Sequence, residues 1–91
     1  MEFEWNQNKA ELNFEKHDIS FQEAATVFND PLSFTFPDPD HSLRESRYVI
    51  IGISRLGQLL VVAHTERGEK IRIISARKAT KQEKRFYEEG S

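Results

Sequence analysis

Between Glu69 and Gly90 the chain reads EKIRIISARKATKQEKRFYEEG, a β-branched run with cations inside it and just beyond it. Ile71, Ile73 and Ile74 have the pattern of a buried strand, yet Arg72 interrupts them and Arg77 and Lys78 follow. A strand placed only for packing would not carry these charges, because each guanidinium needs water or an anionic partner. The chemistry that this pattern suits is oxyanion binding. The Arg fork matches two oxygens and stays charged at any working pH.

Charge is distributed in the same sense. Residues 1–45 hold three Lys or Arg against ten acids, and residues 46–91 hold ten against five, although the whole chain carries only −2. Such a split can build a positive face suited to phosphate or to an acidic partner, or the two halves can neutralise each other in the fold. The 91 residues are read as a single domain spanning 1–91. With 37% hydrophobic and 31% charged residues and no long apolar run, the composition is that of a water-exposed globule without a membrane span. Glu2 and Glu4 after Met1 do not fit a signal peptide. The absence of Cys excludes disulfides, thiolate chemistry and Cys-type zinc sites, and a cytoplasmic location is expected.

These residues must be held by surrounding elements. Phe3–Trp5 reads as an edge strand, and Asn6 as the cap of a helix through His17 whose face carries Lys9, Asn13, Lys16 and His17. That polar face suits a solvated helix surface. Asp18 and Ile19 break the helix, and Ser20-Phe21-Gln22-Glu23 reads as a capping box opening a second one with Phe21, Ala24, Ala25, Val27 and Phe28 inward. Asn29-Asp30-Pro31 ends it. Ser33–Phe36 reads as a strand and Pro37-Asp38-Pro39-Asp40-His41 as a loop; its Asp and His residues raise a metal site, but the run lacks further ligand spacing and is read as a loop. Arg47–Ser54, Leu59–Thr65 and Ile71–Ala76 then form three strands joined by tight turns, and Thr80-Lys81-Gln82-Glu83 is a capping box for a last helix through Tyr87. The order β-α-α-β-β-β-β-α predicts an α+β fold, with two N-terminal helices and one C-terminal helix on an antiparallel meander sheet.

Seven pieces of the sequence, in this order and at short spacings, carry a resemblance: Phe3-x-Trp5-Asn6, Lys9-x-x-x-Asn13-x-x-Lys16-His17, Ser20-Phe21-x-Glu23-Ala24, Val27-Phe28-x-Asp30-Pro31, Glu45-x-Arg47, Ile73-Ile74-Ser75-Ala76-Arg77 and Tyr87-Glu88. Together they resemble the BrnT family across almost the whole chain. The resemblance implies a toxin of a type II toxin–antitoxin pair with a RelE-like ribonuclease fold, neutralised by a BrnA-like antitoxin. Two positions depart from the family pattern: Asn6 stands where Asp is usual, and Asp18-Ile19 where Gly-Val is usual. Asn6 can still cap a helix, whereas Asp18 gives up left-handed freedom at its turn and places a carboxylate beside His17.

The implied chemistry is metal-independent RNA cleavage by 2′-hydroxyl attack, with no cofactor. It needs a proton acceptor for the 2′-hydroxyl, a donor to the leaving 5′-oxygen, and cations for the charge on the phosphorane. Arg67, Arg72 and Arg77 are candidates for the last role. Strand alternation puts Ser75 and Arg77 on one side and Arg72 with Ile74 on the other, so they converge only if the strand bends. Arg77 with Ser75, aided by Arg67, is the favoured set, and Arg72 is expected to pair with an acid of the N-terminal half. His64 and Glu69, on either side of one tight connection, and His17 are the proton-transfer candidates. Lys9 could contact phosphate or be simple surface charge, and Tyr87 could stack on a base or donate to phosphate, although packing of its ring against the sheet is the better reading.

A BrnA-like partner could cover the positive face with an acidic segment, or add a strand to Phe3–Trp5 or Ser33–Phe36. DNA would be reached only through that partner. A different class is a non-catalytic module that engages a DNA-binding antitoxin and modulates its repression. A small-molecule enzyme is disfavoured, since there is no Gly-rich phosphate loop, metal motif or nucleophile constellation.

Overall fold

Each helix begins where the sequence supplies a cap. Asn6 accepts the Lys9 amide at 3.0 Å and opens α1 (Gln7–His17). Ser20 accepts the Glu23 amide at 3.0 Å and opens α2 (Phe21–Thr26), which runs on into a 3₁₀ turn (Val27–Asn29). Thr80 opens α3 (Lys81–Glu89) with both halves of a capping box in place. The structure, a computed structural model, describes residues 1–38 and 46–90. Pro39, Asp40 and His41 of the expected loop, and Glu45 of the sequence motif, lie outside the described residues.

The Ser20 box is only half formed, contrary to expectation. The Glu23 carboxylate turns away from the helix start and accepts from Ser54 Oγ at 2.6 Å and Gln58 Nε2 at 2.8 Å. A buried carboxylate is better satisfied by two side-chain donors across the fold than by one local amide. α1 stops at Asp18, whose φ of 60° is left-handed and whose amide bonds the Phe14 carbonyl at 2.8 Å.

Five strands, β1 (Glu2–Glu4), β2 (Phe34–Pro37), β3 (Arg47–Ile53), β4 (Leu59–Arg67) and β5 (Lys70–Lys78), form one sheet in the order β1-β5-β4-β3-β2. β2 to β5 make the expected antiparallel meander. The sheet as a whole is mixed, which corrects the all-antiparallel expectation: β1 lies parallel to β5, pairing Glu2 with Lys70 and Glu4 with Arg72. The chain between them passes through α1, α2 and the strands β2, β3 and β4, so no hairpin dictates the direction of β1. Pro37, expected in the loop, extends β2, which an edge strand tolerates because its outer side needs no donor.

α1, α2 and the 3₁₀ turn cover one face of the sheet. Ile19, Phe21, Ala24 and Val27 pack there on Ile50, Leu60, Val62, Ile73 and Ala76. On the opposite face Tyr87 of α3 joins Ile51 and Val61. Coverage on both faces explains why the central strands read as almost continuous apolar runs. Gly52 lets the 3₁₀ turn sit directly on β3, since a Cβ there would fall 2.9 Å from Val27 and 3.0 Å from Ser33. Asn13, expected on a solvated face, is instead buried. Its Nδ2 donates to the Ile19 and Ala76 carbonyls at 3.0 and 2.9 Å, and its Oδ1 accepts the Ala76 amide at 3.0 Å. It ties α1 to the stretch of β5 that extends past β1.

Candidate functional site

The bend that the sequence left open lies in β5. Ala63 of β4 pairs with Ser75 and His64 with Ile73, so Ile74 is an extra residue, a β-bulge. The regular alternation that would have separated Arg72 from Ser75 and Arg77 is broken at that residue. Arg72 opposes Thr65, Ser75 opposes Ala63 and Arg77 opposes Val61, and these β4 positions share the face away from α1 and α2. Arg47 opposes Thr65 from β3, while Arg67 and Lys70 oppose each other at the hairpin end. Five cations from the basic half of the sequence therefore occupy one face of the sheet.

Acids from other elements hold several of them. Arg72 donates to Glu4 at 3.2 Å, the expected ion pair with the N-terminal half, and Lys70 lies 4.0 Å from the other Glu4 oxygen. Arg77 is gripped by Glu83 through two bonds of 2.7 and 2.8 Å and also donates to the Lys78 carbonyl at 3.3 Å. That grip raises the Arg77 pKa further and holds the Glu83 carboxyl at about 2, helped by its bond from the Thr80 amide. Three of the five guanidinium N–H groups are thereby used. The Nε–H and one Nη2–H remain for an incoming oxyanion.

α3 borders this face. Phe86 with Phe36, Val49, Ile51 and Val61 lines a shallow apolar cavity of about 280 Å³. The Tyr87 ring packs on the sheet, and its hydroxyl donates to Asp30 Oδ2 at 2.6 Å. Burial and that carboxylate push the Tyr87 hydroxyl up to about 12. Burial works to raise the Asp30 carboxyl, but the bonds from Tyr87, the Ile53 amide and the Leu32 amide outweigh it and lower its pKa.

The other sequence candidates go elsewhere. His64 is 1% exposed and lies on the opposite side of β4, edge-on to Phe28 and stacked near Tyr48. Burial lowers its pKa, against weaker raising influences from Val62 and Glu66. Glu69 is exposed at the hairpin tip, beyond the Arg67–Lys70 pair. The expectation that it neighbours His64 fails, because three residues of ladder, roughly 10 Å, intervene. Lys9 and His17 ride on α1, across the sheet from the cations.

Reading the sequence missed Arg47 and Thr65. An Arg heading the apolar run RYVIIGIS was a usable signal, whereas nothing in LLVVAHT marks its Thr. Among the described residues, three buried side-chain atoms have no hydrogen-bond partner: Arg47 Nε, Thr65 Oγ1 and His64 Nδ1. Those residues also contain no group of three or more His, Asp or Glu arranged to hold a metal ion, and no helix among them is long and apolar enough to cross a membrane.

Comparison with known proteins bears on the family and fold of the chain. A crystal structure of the Brucella abortus ribonuclease toxin BrnT, at 1.1 Å resolution, matches with a TM-score of 0.70 and 23% identity, over 89% of this chain and 99% of that one. At that identity the likeness speaks for the α+β fold. Curated protein sequences give no match. The family model described as the ribonuclease toxin BrnT of type II toxin–antitoxin systems matches residues 5–83, so the chain belongs to the BrnT family of toxins.

Proposed function

We propose that this chain is a metal-independent endoribonuclease that inhibits translation, with the cation face of the sheet as its RNA site. A RelE-like reading of the fold accompanies this proposal. Supporting it is one observation above all: the Ile74 bulge brings Arg72, Ser75 and Arg77 onto the face that also carries Arg67. In this reading Arg67, beside Glu69 at the hairpin, stabilises charge on the phosphorane, while Arg72, Ser75 and Arg77, spaced along β5 as far as six ladder positions or roughly 20 Å away, contact the RNA backbone. Of the three proton-transfer candidates, Glu69 is the one on the hairpin beside Arg67 and Lys70, and it takes the 2′-hydroxyl proton. A BrnA-like antitoxin neutralises the toxin by covering this face with acidic residues, or by adding a strand at the β1 or β2 edge.

The test is cleavage of labelled single-stranded RNA by the purified chain in EDTA, beside Arg77→Ala and Glu69→Ala, with folding checked by circular dichroism. Cutting that survives EDTA, falls at least about a hundredfold in folded Glu69→Ala and falls about tenfold in folded Arg77→Ala is expected. Equal cutting by wild type and variants would remove these residues from the site. One observation favours a second reading, a non-catalytic module that engages a DNA-binding antitoxin. Neither described histidine on the sheet or helices, His64 or His17, lies on the cation face. A wild-type chain that binds its antitoxin and cuts no RNA, with or without ribosomes, would establish that reading.

A further inference from the structure

We infer that Arg47 and Thr65 form a separate phosphate-binding position on the cation face, taking non-bridging oxygens of an RNA phosphodiester; this rests on the ribonuclease reading above. Arg47 and Thr65 are register partners across β3 and β4, and Thr65 is in turn the partner of Arg72 across β4 and β5. The three stand in one row across the sheet, two pleats from the Val61–Arg77 pair, or roughly 13 Å along β4. Thr65 is 2% exposed in a central strand, and its Oγ1 has no partner; neither has the buried Nε of Arg47.

A buried hydroxyl without a partner is costly, and Val would fill the same strand position without that cost. The two atoms share a complement. The Nε–H can only donate and the hydroxyl can donate as well, and an oxyanion accepts from both while meeting the guanidinium charge. Glu4 limits where the anion can lie. Its carboxylate holds Arg72 at 3.2 Å and sits 4.0 Å from Lys70, so the far end of the row is already neutralised. The end of the row that Glu4 does not neutralise is the Arg47 side of Thr65. Arg72, with a third of its side chain exposed, flanks the position. The row thus holds one phosphate while Arg77 meets another further along the strand.

The experiment is fluorescence anisotropy of the full chain with a 2′-O-methyl hexanucleotide of mixed sequence, which cannot be cut because the attacking hydroxyl is blocked. Thr65→Val, Arg47→Gln and Arg47→Lys are compared with Arg55→Gln, a control on the exposed β3–β4 turn. Thr65→Val should raise the melting temperature of the ligand-free protein and yet weaken binding about five- to tenfold. Arg47→Gln and Arg47→Lys should both weaken it about tenfold, since Lys keeps the charge and loses the Nε donor, and Arg55→Gln should change little. Weakening by Arg47→Gln alone would reduce the position to general charge and overturn the inference. So would unchanged binding in all three variants while Arg77→Ala loses it, and that result would leave the ribonuclease reading standing. A wild type that does not bind the hexanucleotide would overturn both.

Discussion

Replacing Asn13 by Ala should be among the most damaging single changes on α1. Its amide fills both hydrogen-bonding groups of Ala76 and the carbonyl of Ile19, with distances of 2.9 to 3.0 Å and only 8% exposure. Truncation strands all three backbone groups with limited access to water. At about 1 kcal/mol of net loss for each, or more where a group stays dry, the change should cost about 3–4 kcal/mol. A domain of this size has a total stability of roughly 5–14 kcal/mol, so the loss is a large fraction of it. The melting temperature should fall by about 12–30 °C. Asn13→Asp separates the contributions. Its carboxylate still accepts the Ala76 amide but faces two carbonyl oxygens, so at pH 7 it should be less stable than Asn13→Ala and recover as acid protonates it. Urea unfolding of the three proteins at pH 7 and pH 4.5 measures both effects. A loss under about 1 kcal/mol in Asn13→Ala would show that the clip adds little and that helix packing alone holds α1 to β5.

Asp18→Gly should raise stability by about 0.5–1 kcal/mol in the same assay, because a left-handed φ of 60° suits glycine better than a residue with a Cβ. His64 should make stability depend on pH. Its folded pKa is lowered by burial, so the contribution is fully present above the unfolded value near 6.5 and is lost as pH falls below it, when only the unfolded chain takes the proton. His64→Leu should flatten the pH dependence of urea unfolding between about pH 7 and 5; an unchanged slope would refute that assignment. Glu83, held at about 2, contributes above the ordinary carboxylate pKa and loses that contribution as pH falls toward its folded value. Glu83→Gln should therefore remove part of the acid limb below about pH 4.5, and a limb identical to wild type would count against the Arg77–Glu83 grip.

Local chemistry was legible in the sequence where one residue type has one use. Asn6, Ser20 and Thr80 marked the helix starts, since a short side-chain acceptor ahead of free amides has little else to do. Tight turns and β-branched runs marked β3, β4 and β5, and the ordered pieces from Phe3 to Glu88 were enough to point to the family that the comparison identified. The Arg72 ion pair was also foreseeable, because a cation inside a strand must find an acid and the N-terminal half is rich in them.

Tertiary structure alone decided which side each residue faces. Period-2 alternation assumes an unbroken ladder, and a bulge is a property of two strands, so the sequence of β5 could not announce that Ile74 would be the unpaired residue. That one insertion brings Arg72 to the side of Ser75 and Arg77. The same limit applies to β1, whose parallel pairing depends on where a long crossover returns, and to Asn13, whose burial depends on the β5 edge left open beyond β1. The sequence determined which elements form and which charges are available. Pairing across the sheet determined that the charges meet, because register couples residues more than sixty positions apart that no local pattern connects.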